Sequence, residues 1–303
     1  MSNSRQWRLA VLAAALTIWP GIACSGAPQG QPSGPTGDGN DPGTFTFVHL
    51  GDVQIGFGRD GILADRDRLL RAIDQINALK VDFVYLAGDL THKETSEEYA
   101  LLEAALKRFE PRLVVAPGNH DVKNHQALAA FRTRWGKDYY AFTHRRCEFV
   151  VVDSLLLSEK GAWFKERDET FLREVQAQWA WLEKALADAQ KAGRAHIFLL
   201  MHVPPFLKSE TEGDRYENLP AAARKRMMEL ARRYGVRAIL CGHDHTNSEI
   251  RSEAGPTIWI SGGTARVGKG EQFGFHVWTV RGRDAHCEFV QLAPAPATQP
   301  AGK

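Results

Sequence analysis

Cysteine is scarce in this sequence, with only four residues among 303. Cys24 follows an N-terminal apolar run, and the rest of the chain holds Cys147, Cys241 and Cys287. An odd number requires no disulfide framework, so the fold must rest on a hydrophobic core. The composition allows one, since 44% of the residues are hydrophobic and 24% are charged. Whether Cys147 and Cys287 pair is left open by the sequence.

An excess of charge is also missing. The chain has 38 Lys and Arg against 36 Asp and Glu. Loss of residues 1–23 would remove Arg5 and Arg8 and no acid, which leaves the remainder neutral. A neutral chain has no electrostatic attraction for nucleic acid or for an anionic membrane surface, so neither is expected as a partner.

Long apolar runs are absent as well. The longest, near residues 9–18, is shorter than the roughly 20 residues that a bilayer span requires. Arg5 and Arg8 precede it and small residues follow it, so residues 1–23 are predicted to be a secretory signal peptide. A buried N-terminal helix is the alternative, but a Gly/Pro/Ser-rich tract follows and offers that helix nothing to pack on.

Cys24 refines this prediction. The stretch Gly21-Ile22-Ala23-Cys24-Ser25 resembles a bacterial lipobox, although Gly21 stands where a Leu-like residue is usual. We therefore expect a lipidated Cys24, a flexible tether over residues 24–43 and a disordered tail over residues 293–303. The protein would be exported and anchored by lipid on the periplasmic or cell-surface side. Plain secretion, with Cys24 free or removed, is the alternative.

Residues 44–292 alternate between strand and helix patterns up to about residue 245, and then show strands only. The first part predicts α/β structure, including a helix over about residues 125–135 followed by a strand over residues 149–153, and the end predicts antiparallel strands. The strands read as near-continuous apolar runs, as expected for strands covered on both faces. The predicted fold is a four-layer α/β/β/α sandwich of two mixed β-sheets flanked by helices.

Polar side chains follow five of the predicted strands, at the point where each strand ends. In open α/β sheets, ligands bind beyond the carboxyl ends of the strands. In four of the five cases a glycine directly precedes the first polar residue. The five segments are Gly51-Asp52-Val53-Gln54, Gly88-Asp89-Leu90-Thr91-His92, Gly118-Asn119-His120-Asp121, His202-Val203-Pro204-Pro205 and Gly242-His243-Asp244-His245.

Each of these segments alone is explained more simply as a turn or a helix cap. All five together, each with side chains that can bind metal, instead predict a metal site. A mixed set of oxygen and nitrogen ligands suits Mn, Fe or Zn rather than a thiolate zinc site. No Ser or Cys nucleophile occupies a comparable position, because Cys241 precedes its glycine and belongs to the strand.

At this point the chain resembles the calcineurin-like metallophosphoesterases, over about residues 45–292. The elements that carry the likeness are Gly-Asp, Gly-Asn-His-Asp and Gly-His-x-His. The chain is also similar to the branch of the calcineurin-like phosphoesterase domain-containing protein 1 type, which has an Asp-x-Gln first motif. Here the corresponding segments are Asp52-Val53-Gln54-Ile55-Gly56 and Trp135-Gly136-Lys137-Asp138-Tyr139.

The resemblance implies two divalent metal ions and a role for each polar residue. Asp89 would bridge the two metals, His120 would face the substrate as an acid, and Asp121 would orient His120. Gln54 departs from most members, which carry a histidine ligand there, so metal 1 is expected to be held loosely or to prefer a harder ion such as Mn. The remaining ligands would be Asp52 and His245 on metal 1, and Asn119, His202 and His243 on metal 2.

The implied activity is hydrolysis of phosphomonoesters by a metal-bridging hydroxide in a monomeric enzyme. Phosphodiester cleavage and dephosphorylation of Ser/Thr phosphoproteins are alternatives, so the partner is a phosphorylated small molecule or protein. A non-catalytic lipoprotein that binds a ligand is an alternative of another class, supported only by Gln54. Two loops can border the site: residues 203–220, as a lid or a solvated loop, and the Gly-rich residues 262–266, which lack the Lys-Ser/Thr ending of a P-loop.

Overall fold

The computed structural model describes residues 43–160 and 163–294. The predicted signal peptide, Cys24, most of the tether and nearly all of the C-terminal tail lie outside these residues. Within them, no helix combines the length and apolarity needed to cross a membrane.

The described chain forms two mixed β-sheets flanked by helices, which confirms the predicted fold class. The five-stranded sheet has the order β11-β10-β1-β2-β3, and the six-stranded sheet has the order β4-β5-β6-β7-β9-β8. The strands are β1 (Phe45–Leu50), β2 (Phe83–Leu86), β3 (Arg112–Val115), β4 (Tyr140–His144), β5 (Cys147–Val151), β6 (His196–Leu200), β7 (Ala238–Cys241), β8 (Ser248–Arg251), β9 (Thr257–Ile260), β10 (Gly274–Arg281) and β11 (Asp284–Gln291).

Four of the five long helices are crossovers between parallel strands, as parallel pairing requires. These are α1 (Ile62–Leu79), α2 (Ser96–Leu106), α4 (Glu169–Lys191) and α5 (Ala221–Arg233). The fifth, α3 (His125–Trp135), begins after Asn124, whose side chain caps the amide of Ala127, and ends at Gly136 with a positive φ of 89°. These signals explain why its predicted bounds match the observed ones.

Aromatic side chains join the two sheets. Phe47 of β1 stacks on Phe83 of β2 with ring centroids 4.9 Å apart, and Phe149 of β5 stacks on Phe198 of β6 at 5.1 Å. The two stacks meet edge to face, with Phe47 and Phe149 5.2 Å apart. The central strands β1, β2, β5, β6 and β7 thus contribute to a core on both faces, which accounts for their apolar runs. The carboxyl ends of β1, β2 and β3 in one sheet and of β6 and β7 in the other lie on the same side of the sandwich.

Two features of the fold differ from the sequence-based expectation. The end of the chain was expected to be antiparallel, but β9 pairs parallel with β7, while β8 and β11 are antiparallel to their partners. An additional strand, β4, pairs with β5 at the edge of the six-stranded sheet. All three cysteines in the described residues are free thiols, and Cys147 and Cys287 form no disulfide.

Candidate metal centre

The five polar segments converge beyond the carboxyl ends of β1, β2, β3, β6 and β7. Most of the predicted ligands are buried there, and the side chain of His245 is 19% exposed. The loops approach one another closely: a Cβ placed on Gly118 would lie 2.2 Å from the backbone nitrogen of Asp89. The glycines that precede the polar residues are therefore required for this convergence. The buried ligands are Asp52, Gln54, Asp89, Asn119, His202 and His243.

The backbone at these ligands is strained. Within the described residues seven non-glycine residues have a positive φ, and four of them are predicted ligands. Such conformations cost about 1–3 kcal/mol each and cluster at functional sites. The rest of the fold therefore holds the ligands in positions that the local sequence would not adopt by itself. The four are Gln54 (23°), Asp89 (49°), His243 (72°) and His245 (55°).

Each predicted histidine ligand is oriented through one ring nitrogen. Nδ1 of His202 lies 2.6 Å from the carbonyl of Ala87, and Nε2 of His243 lies 2.9 Å from the carbonyl of Tyr216. Nδ1 of His245 lies 3.0 Å from the carbonyl of Arg266. A carbonyl can only accept, so these nitrogens carry protons, and in the neutral ring the other nitrogen is an acceptor, the usual arrangement in metal-binding histidines.

The free acceptors face one another. Nε2 of His202 lies 3.2 Å from Nδ1 of His243 and 3.0 Å from Oδ1 of Asn119. Ligand atoms of Asp89, His202 and His243 all lie within 4.8 Å of one another. Acceptors this close repel unless a proton or a cation lies between them. Divalent cations therefore fit this donor set.

The second half of the site has buried oxygens with no partner. Oδ2 of Asp52 accepts the amide of His243 at 2.9 Å, but neither its Oδ1 nor Oε1 of Gln54 has a hydrogen bond within the described residues. Nε2 of His245 lies 3.8 Å from Oδ1 of Asp52. Leaving a buried acceptor unpaired is costly, and a cation would satisfy both oxygens.

Asp89 lies between the two halves. Its Oδ1 lies 3.4 Å from Nε2 of His202, and its Oδ2 accepts the side-chain amide of Gln54 at 3.3 Å. Burial opposes charge on both Asp89 and His202, but their mutual attraction outweighs burial, lowering the pKa of Asp89 and raising that of His202 to about 9. Burial and the neighbouring His202 lower the pKa of His243 to about 3. A cation bound here would replace the proton of His202.

His120 is half-buried beside the ligands, but Asp121 does not orient its ring as expected. Nδ1 of His120 lies 2.7 Å from the carbonyl of His92, which holds the ring. The Asp121 carboxylate instead accepts the amides of Leu90 (3.0 Å) and Gly118 (2.9 Å), so it ties together the loops after β2 and β3. Burial, followed by the Asp89 carboxylate, raises the pKa of Asp121 to about 8.

Several neighbouring residues were not singled out as site residues. Tyr216, in the predicted lid loop, receives a hydrogen bond on its hydroxyl from Nδ2 of Asn119 at 3.0 Å. Trp163 donates to the carbonyl of Tyr216 at 3.1 Å, and Phe57 contacts the rings of both His92 and His245. The sequence signal for Phe57 and His92 was proximity, since each lies three residues after a predicted ligand, Gln54 and Asp89 respectively. A cavity of 1140 Å³ between β4 and α4 is lined by none of the predicted ligands.

Comparison with known proteins gives a consistent picture. Residues 45–247, which include all seven predicted ligands, match the calcineurin-like phosphoesterase family. The chain is 31% identical over 229 residues to Serine/threonine-protein phosphatase CPPED1 of Mus musculus, covering 68% of this chain and 71% of that protein. It is 30% identical over 180 residues to the Probable glycerophosphodiester phosphodiesterase GpdQ of Arcobacter nitrofigilis, covering 58% and 62%.

Solved structures share the fold. A dimetal phosphatase from Danio rerio aligns with a TM-score of 0.63 at 16% identity, covering 82% of this chain and 99% of that chain. The purple acid phosphatase PPD1 from yellow lupin aligns with a TM-score of 0.60, also at 16% identity, covering 82% of this chain and 52% of that chain. At these identities the likeness supports the architecture alone.

Proposed function

The chain belongs to the calcineurin-like phosphoesterase family and is a metal-dependent phosphoric ester hydrolase, and we propose that it holds two divalent cations and cleaves phosphomonoesters. The position of Asp89 carries the proposal for two cations. Its two carboxylate oxygens contact different halves of the donor set, His202 on one side and Gln54 on the other. A carboxylate so placed can bind two ions at once.

The proposed ligands divide around Asp89. Asn119, His202 and His243 would hold one cation, and Asp52, Gln54 and His245 the other. Bound cations of this kind lower the pKa of a coordinated water and neutralise phosphoryl charge. The Gln54 amide is a harder and weaker donor than an imidazole, so we assign Mn, Fe or Zn to the centre with Mn favoured on the Gln54 side.

The protein's own residues supply the rest of the mechanism. The carbonyl of His92 accepts from Nδ1 of His120 and orients the ring, so Nε2 can deliver a proton to the leaving alkoxide from the imidazolium form of the ring. The Asp121 carboxylate holds the two loops that carry Asp89 and Asn119. Nδ2 of Asn119 bonds to the Tyr216 hydroxyl, so its Oδ1 points toward His202 and the centre.

Ester class is tested with p-nitrophenyl phosphate and bis-p-nitrophenyl phosphate, each with and without added Mn. We expect Mn-dependent hydrolysis with the monoester preferred. Preference for the diester would overturn the proposed ester class and would agree with the glycerophosphodiester phosphodiesterase relative.

The phosphatase relative supports phosphoproteins as a second candidate substrate, tested with phosphoserine peptides. Failure to hydrolyse any ester would favour a non-catalytic binding role.

We also propose that the protein is exported and anchored by lipid through Cys24. The support is the charged, apolar and small-residue pattern of residues 1–24. Full-length protein should label with fatty acid and fractionate with membranes, whereas Cys24→Ser should do neither. Equal behaviour of the two proteins would contradict lipidation.

A further inference from the structure

An aromatic side chain at the edge of the metal centre supports an arginine. The Phe57 ring centroid lies 5.3 Å from that of the ligand His245 and 6.3 Å from that of His120. The guanidinium carbon of Arg266 lies over the same ring, 4.8 Å from its centroid. The arginine, a proposed metal ligand and the proposed acid therefore all lie beside the same phenyl ring.

The two loops that carry Phe57 and Arg266 are fixed by a buried ion pair on α1. Oδ2 of Asp65 accepts the amides of Gly56 and Gly58 at 3.0 Å each, on either side of Phe57. Arg68 donates to the carbonyls just before Arg266, those of Thr264 (2.9 Å) and Ala265 (3.2 Å). Asp65 and Arg68 are themselves paired at 2.5 Å.

The space around this pair also requires glycine in the Phe57 loop. A Cβ on Gly58 would lie 1.9 Å from Oδ1 of Asp65. Both loops are thus held in one arrangement by contacts with a single helix turn. The position of the arginine over the ring is preorganised, which reduces the entropy lost when a ligand binds there.

The charge of Arg266 is not neutralised. Among the described residues its guanidinium has no acidic partner, whereas Arg68 pairs with Asp60 and Asp65. A half-buried guanidinium held on an aromatic face is suited to a carboxylate or phosphate, which it binds through two parallel hydrogen bonds. This chemistry calls for an anion from outside the described chain.

We propose that Phe57 and Arg266 form an anion subsite, so that the preferred substrates are phosphomonoesters whose alcohol part carries a second anionic group, a carboxylate or a phosphate. The inference rests on the proposed function. The Phe57 ring lies beside His120, the residue proposed to protonate the leaving group, as well as beside His245, and neither Phe57 nor Arg266 belongs to the ligand set. The subsite therefore meets the leaving alcohol rather than the phosphoryl group that is transferred.

The test compares esters that differ in the second anion. 3-Phosphoglycerate is measured against glycerol 3-phosphate for the carboxylate, and fructose 1,6-bisphosphate against fructose 6-phosphate for the phosphate. In wild type the anionic ester of at least one pair should have the higher kcat/KM, and the responding pair identifies the anion. In Arg266→Gln that preference should fall about tenfold, mainly through KM, as expected for loss of a charged hydrogen bond.

Arg283→Gln is the matched control. Arg283 is exposed in the turn between β10 and β11, and β10 runs antiparallel to β1, so this turn lies at the end of the sheet away from the ligands. The control removes the same charge and should keep the preference. Both variants keep the proposed metal ligands, so any contribution from contact between the second anion and the metals is the same in the two proteins. Arg266→Lys should restore part of the preference, and the carbonyl that orients His245 is backbone and remains in every variant.

Equal loss for both esters of each pair in Arg266→Gln, or no loss, would overturn the subsite. If metal-loaded wild type hydrolyses no ester at all, the proposed function fails instead. Calorimetric binding of 3-phosphoglycerate and glycerol 3-phosphate then decides the subsite by itself. Tighter binding of 3-phosphoglycerate that disappears in Arg266→Gln supports the subsite, and equal binding by the two proteins refutes it.

Discussion

Replacement of Asp89 by asparagine tests the centre most directly. The substitution keeps the size and one acceptor oxygen but removes the charge shared by the two halves of the site. Asp89 is 2% exposed, and its two carboxylate oxygens contact His202 and Gln54 separately. We expect Asp89→Asn to lose bound metal and phosphoesterase activity together.

The size of the effect follows from linkage. A ligand at a thousand times its Kd that binds only the folded state stabilises that state by about 4 kcal/mol. For a domain of this size, 1 kcal/mol moves Tm by roughly 2–4 °C. One cation held this tightly therefore accounts for roughly 8–16 °C of Tm, and wild type should lose at least this much when EDTA removes both metals. Asp89→Asn should show little of this difference between Mn and EDTA, and in EDTA it should unfold below wild type because it also loses the buried attraction to His202.

The assay combines metal analysis with thermal unfolding in Mn and in EDTA. Asp121→Asn is the matched control, because Asp121 is also buried but bonds only to the amides of Leu90 and Gly118. Asparagine can satisfy just one of the two with its oxygen, which costs about 1–3 kcal/mol but should leave the metals bound. If Asp89→Asn retained two metals, wild-type activity and the full response to EDTA, the assignment of this centre would be wrong.

Three further predictions concern His120, Gln54 and Glu174. His120→Ala should keep both metals but slow hydrolysis of alkyl phosphates more than aryl phosphates, whose leaving groups need no proton; equal loss for both would count against the acid role. Gln54→His should slow metal loss during dialysis against EDTA, and an unchanged rate would contradict a weak ligand at this position. The hydrogen bond from Arg132 lowers the pKa of Glu174, so Glu174 stabilises the fold above the ordinary glutamate pKa and loses this contribution as pH falls. Glu174→Gln should cost about 1 kcal/mol in neutral denaturant titrations and little in acid, and a cost independent of pH would refute the linkage.

The positions of the ligands could be predicted because they depend on local rules. Apolar runs ended by a polar residue, in four cases after a glycine, located the five strand ends, and parallel strands bring their carboxyl ends to one side of the sheet. Helix α3 was predicted within its observed bounds because Asn124 and Gly136 mark its two ends. These signals are carried by a few adjacent residues and need no knowledge of distant contacts.

What escaped prediction depends on partners far away in the sequence. Strand β4 has a single buried residue, Phe142, between the exposed Ala141 and the half-buried Thr143, so its apolar pattern is weak until β5 pairs with it. The apolar run Thr257–Ile260 identifies a strand. Its parallel pairing with β7 depends on the path of the chain through β8, which the run itself does not reveal. Sequence adjacency likewise suggested that Asp121 holds His120, whereas the two side chains bond separately to the backbone, Asp121 to the amide of Leu90 and His120 to the carbonyl of His92.

The segment around Arg266 joins metal binding to substrate preference. Its backbone carbonyl orients His245, the one imidazole proposed for metal 1, where Gln54 supplies only an amide oxygen. Its side chain lies on Phe57, where the leaving alcohol of a substrate is proposed to bind. Because one role belongs to the backbone and the other to the side chain, the residue at this position can change substrate preference without altering the ligand set. Gln54 cannot be changed in this way, since its side chain both contacts Asp89 and provides the proposed ligand atom.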